Sequence, residues 1–193
     1  MTNEFGRAVL IVAVLNLAYF GIEFAVAVTI GSVSLFADSI DFLEDASLNI
    51  LILIALGWTA LNRARLGMVL AGILLVPGLA TLWTAWEKLS VQVAPEPVAL
   101  SLTGLGALAV NLTCAFVLVA HRHHAGSLSR AAFLSARNDA FANVAIIAAG
   151  IMTVYWLSIW PDLIVGLGIF LVNLDAAREV YVTARKEHAE ARG

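Results

Sequence analysis

Charge is what this sequence has least of. Only 13% of its 193 residues are Asp, Glu, Lys or Arg, about half the share of a soluble domain. Cysteine is nearly absent too. The single Cys114 excludes an intrachain disulfide framework and a Cys-based metal site, and reads as a small buried residue. No segment sustains a polar/apolar alternation, which excludes a membrane β-barrel. No Gly-x-x-x-x-Gly-Lys loop occurs, which argues against an ATP-driven process within this chain. No nucleophile–base pair is visible inside the apolar stretches, so an enzyme is not expected. Repeats of 20–50 residues and low-complexity tracts are missing. A net charge of -3 gives no reason to expect a nucleic-acid partner.

What remains is apolar. The chain is 61% hydrophobic with a mean hydropathy of +0.92, against about 45–50% apolar for a soluble domain. This composition predicts an integral, all-α membrane protein. About 20 apolar residues cross a bilayer, and six such transmembrane segments can be marked: 7–29, 34–59, 66–86, 98–120, 130–155 and 162–181. The first apolar run is too long for a signal peptide and follows Glu4 and Arg7, so it is read as retained. Residues 1–185 read as one six-helix transmembrane domain and 186–193 as a short charged tail. Arg7, Arg63, Arg65, Arg122, Arg130, Arg178, Arg185, Lys186 and Arg192 fall on one side of this layout and Lys88 on the other. The positive-inside rule then places both termini in the cytoplasm. Trp83, Trp86, Trp156 and Trp160 fall at the outer ends of spans, where interfacial rings belong.

Against this background 34–46, SLFADSIDFLEDA, stands out. It carries Asp38, Asp41, Glu44 and Asp45 inside an apolar segment. One charge near the bilayer centre costs roughly 2.5–3.5 kcal/mol on insertion scales, and such residues are functional by default. On a helix Asp41 and Asp45 are four apart and share a face, with Asp38 three residues earlier on the same stripe. The fifth segment holds Ser135, Asp139 and Asn143, also spaced by four, a second stripe of oxygen ligands. If the stripes face each other, Asp41, Asp45 and Asp139 converge, and Ser135, Asn143 or water fills a fourth position. Zinc accepts carboxylate oxygen, and manganese and iron(II) suit an oxygen-rich site. Asp38 reads as an entry or outer acid, Glu44 as an ion-pair partner for Arg137, and Asp162 as the cap of the sixth helix. Glu23, Asn16, Asn111 and Asn173 read as interhelical hydrogen-bonding groups. Gly67, Gly72 and Gly78 in the third segment, with Gly166 and Gly168 in the sixth, allow close helix approach or pairing across a dimer. Pro77 reads as a kink.

These motifs resemble the cation diffusion facilitator (cation efflux) family. SLFADSIDFLEDA is similar to its second-helix signature, S-L-A-L-L-A-D-x-x-H/D-x-x-x-D, and ARNDAFANVAII to its fifth, H-x-x-x-D before small residues. NLAYFGIE and WPDLIVGLGIFLVN resemble its first and sixth helices. The resemblance implies that Asp41, Asp45 and Asp139 are metal ligands. Ser135 stands where the family has histidine, which makes the site richer in oxygen. It also implies a multi-pass protein of the cell membrane, a bacterial inner membrane. The role it implies is export of divalent metal from the cytoplasm in exchange for protons, with zinc the first expectation and manganese, iron, cobalt and cadmium the alternatives. Metal ions, protons, lipid and a second copy of the chain are the expected partners. The family's cytoplasmic ferredoxin-like domain is not expected in this short chain, so a homodimer would be held by membrane helices. His121, His123 and His124 fall where the family often has a His-rich loop, and read either as a loose metal-capture loop or as a polar interface. Two rivals stand beside this reading: a proton-coupled organic-cation exporter, which needs an aromatic-lined pocket, and a membrane metal sensor that moves nothing.

Overall fold

The computed structural model describes residues 2–55, 60–120 and 126–190, with side chains over most of that range. Among the described residues the fold is six helices without strands: α1 (Thr2–Ile30), α2 (Val33–Ala55), α3 (Ala60–Val91), α4 (Pro97–Ala120), α5 (Gly126–Tyr155) and α6 (Trp160–Glu190). Stretches within α1, α4 and α5 (Gly6–Ile30, Pro97–Val119 and Asn138–Tyr155) are long and apolar enough to cross a membrane. Their outward faces carry large aliphatic and aromatic side chains such as Val28, Leu102, Phe116 and Val154, as lipid contact requires.

The helices pair closely as α4 with α5, α1 with α2, and α3 with α6. α1 also packs on α4, and α2 on α6. α2 touches every other helix, so the acidic helix is the hub. Its packing core joins Ala27 of α1, Leu35 and Ala37 of α2, Leu100 of α4, Ile146 of α5 and Ile169 of α6. The α1–α2 turn needs only two residues because Gly31 takes a left-handed φ of 62°, which glycine adopts without steric cost. α6 approaches α2 backbone to backbone. A Cβ on Gly166 would stand 2.8 Å from Ser34 N, so any larger residue would push the two apart. Gly166 thus serves the α2 contact, whereas Gly168 meets nothing within 4 Å. The side chains at Gly67, Gly72, Gly78 and Pro77 lie outside the described residues.

One end of the bundle is held by a polar clasp. Ser32 Oγ accepts the N–H of Leu35 at 3.1 Å and caps α2. Asp162, fully buried, accepts the backbone N–H of Val33 at 2.9 Å and of Ser34 at 3.1 Å, and both serine hydroxyls at 2.6 Å. A carboxylate on the first turn of a helix also meets the positive end of its dipole. Asp162 therefore caps α2, not α6 as the sequence suggested. α6 already begins at Trp160, whose N–H is accepted by Ser158 Oγ at 3.3 Å, so Asp162 lies inside the first turn and is free to reach across. Lys88 of α3 completes the clasp by donating to Gly31 O at 2.5 Å. Burial pushes its ammonium below the usual lysine range, and the Asp162 carboxylate opposes that.

Candidate metal centre

α2 turns Asp41 toward α5 and α6. Together with Asp139 and Asn138 of α5 and Asn173 of α6 it lines a cavity of about 550 Å³, whose remaining wall includes Phe141, Val165, Ile169 and Val172. Two carboxylates from helices nearly a hundred residues apart in sequence thus open into one otherwise apolar space. The strongest charge acting on Asp41 is that of Asp139, ahead of Asp38, Glu44 and Asp45. Asp139 in turn is acted on most by Asp45, then by Asp38 and Glu44. The charges of α2 and α5 thus act on one another where the two helices meet.

The gathering stops short of a closed ligand shell. Among the described residues no three His, Cys, Asp or Glu side chains are arranged to hold a metal ion. Asp45 is half-buried and sits one turn beyond Asp41, off the cavity lining. The side chains of Ser135 and Arg137, and the three loop histidines, lie outside the described residues.

Two residues of the predicted oxygen stripes are engaged elsewhere. Asn143 is fully buried. Its Oδ1 accepts from Asn111 at 2.9 Å, and its Nδ2 donates to Asp38 Oδ2 at 2.5 Å. Asp38 is likewise fully buried and off the cavity. Successive residues of an α-helix are about 100° apart. Asp38 is therefore turned about 60° from Asp41, and Asp45 about 40° from Asp41 in the same direction. That separation sends Asp38 into the α1–α4–α5 side of α2 and leaves Asp41 on the α5–α6 side.

Asn111 acts as interhelical glue, as its place in an apolar helix suggested. Asn173 does not: it faces the cavity. Sequence reasoning missed it as a cavity residue, although an Asn in the middle of an apolar run was the available signal. Asn16 accepts a long contact from Cys114 Sγ at 3.6 Å.

A family model for the cation efflux transmembrane domain matches residues 9–187. The chain belongs to the cation efflux family. A search of curated proteins finds no match. Membership makes this a membrane protein of the metal cation efflux class, and the matched region takes in all six helices. The signatures around Asp41 and Asp139 are thus where the family resemblance and the cavity coincide.

Proposed function

We propose that this cation efflux protein exports a divalent metal ion from the cytoplasm in exchange for protons, with Asp41, Asp45 and Asp139 as the cargo's ligands. The observation that carries the reading is the shared cavity: Asp41 and Asp139 reach it from separate helices. Acids facing each other in an apolar space repel unless a cation or protons neutralise them. Binding of a dication there is linked to release of protons, and protons returning from the far side favour release of the dication.

In this reading all six helices span the membrane, both termini are cytoplasmic, and the cell membrane of a bacterium is the setting. A small approach of α5 toward α2 brings Asp45 into reach of the ion held by Asp41 and Asp139. With Ser135 in place of the family's histidine, the donor set is oxygen only, which suits manganese and iron(II) as well as zinc. Two copies associate through their membrane helices. Export of organic cations is the weaker reading, because among the described residues Phe141 is the sole aromatic on the cavity wall, and cation–π recognition draws on a cage of rings.

The test is flux of zinc, manganese, iron(II), cobalt and cadmium into proteoliposomes, with and without a pH gradient. Asp139→Ala should abolish metal flux in protein that still folds. Undiminished flux in that variant contradicts the ligand assignment, and flux of organic cations alone favours the rival.

A further inference from the structure

The four helices α1, α2, α4 and α5 each send a polar side chain to the buried centre of the bundle: Glu23, Asp38, Asn111 and Asn143. All are at most 2% exposed. Their hydrogen bonds run in one direction. Asn111 donates to Asn143, and Asn143 donates to one oxygen of Asp38. There the donors end. Asp38 Oδ1 and both carboxyl oxygens of Glu23 are buried with no donor, and Asp38 is the charge that acts most on Glu23. One turn away α1 and α2 meet through the Tyr19 and Phe42 rings, 5.1 Å between centroids.

Leaving a buried carboxyl oxygen without a donor costs several kilocalories, more so when two acids face each other. Among the described side chains no cation offsets them. Among the described residues Arg7, Arg65, Arg178 and Arg185 are exposed, and Lys88 is engaged at the clasp. The other titratable groups that face the pair are Tyr19 of α1, Asp41 of α2 and Asp139 of α5. Tyr19 is occupied, donating to Thr103 O at 2.6 Å. The remaining two add negative charge. The cavity that Asp41 and Asp139 line does not reach Glu23 or Asp38, so a metal held there leaves the pair without a cation of its own. A proton needs no room: one O–H shared between two carboxyl groups supplies the missing donor and removes a charge.

We propose that Glu23 and Asp38 share one exchangeable proton, and that this pair is a proton-binding site separate from the cavity that takes the metal. The inference rests on the proton-exchange reading above and locates its proton. Asp38 and Asp41 lie on one turn of α2, so a dication at Asp41 repels a proton on Asp38. Cargo binding and proton release are then linked, each weakening the other by the same factor. Asn111 and Asn143 position Asp38 and hold it turned toward Glu23.

Infrared difference spectroscopy on the reconstituted full chain tests the site. Wild-type protein should show a protonated-carboxyl band that is lost when manganese or zinc is added. Labelling glutamate with carbon-13 should shift that band, and Glu23→Gln should remove it while Glu44→Gln leaves it. A band that persists in folded Glu23→Gln, or that ignores the glutamate label, overturns the site. The labelled wild type decides the matter should the variant fail to fold. Flux tests the coupling separately. A gradient of one pH unit supports about a tenfold cargo ratio per coupled proton. Glu23→Gln should bring that ratio to about one with downhill flux still detectable, and a variant that keeps the tenfold ratio overturns the coupling. A wild type that moves metal but ignores the gradient overturns proton exchange as such, and the infrared band then reports on the pair alone.

Discussion

Asp162 and Asp38 are both fully buried aspartates in the same bundle, and their surroundings differ in one respect. Asp162 is met by four donors, two backbone amides and two hydroxyls, with Lys88 close by. Asp38 is met by one, the amide of Asn143, and its other oxygen faces Glu23 with nothing to bond. Donor supply separates a structural carboxylate from one that must find a proton or a cation. At the clasp the fold satisfies the charge permanently, and the acid ties α6 to α2. In the bundle centre the donors run out, and the acid is left able to change its state.

That contrast is sharpest in stability. Asp162→Ala orphans the first amides of α2 and should lower unfolding stability by about 3 kcal/mol, read as a drop in the thermal midpoint of detergent-solubilised protein. Asp38→Asn removes an unsatisfied oxygen and leaves a donor for Glu23, so its change should stay within about 1 kcal/mol. Equal losses in the two variants would erase the distinction. Lys88→Met should have a smaller effect than Asp162→Ala, about 1 kcal/mol, since Gly31 O then loses one partner at the edge of the clasp. Smallest in stability is Ser135→His, which should leave folding intact and shift metal preference toward zinc in a competition flux assay. No shift would mean that position 135 does not set selectivity.

The helices and the family were legible in the sequence because lipid imposes a strong pattern: apolar runs of spanning length, basic loops, and acids too costly to be filler. The pairing of Asp41 with Asp139 across one cavity was legible for the same reason. The finer assignments were not. Asp38 was read as an entry or outer acid of the metal site, and Asn143 as one candidate for its fourth position, from spacings of three and four. A stripe on a helix is broad, though, and about 60° of rotation decides which neighbour a side chain meets. Asp162 was read as a cap for its own helix, and the tertiary approach at Gly166 hands it to α2 instead. Such choices depend on which helices touch, which periodicity alone does not encode. Glu23 was read as a bundle hydrogen-bonding group, and only the count of donors around it shows that none is provided.

The most direct test of the cavity as the cargo site is equilibrium binding of manganese and zinc to purified wild type, Asp41→Asn and Asp139→Asn. Saturable binding by the wild type should weaken by about 100-fold or more in each variant, with helical content and thermal midpoint retained. Wild-type affinity in both variants would contradict the account, because the metal would then be held by neither of the acids that the two helices bring together.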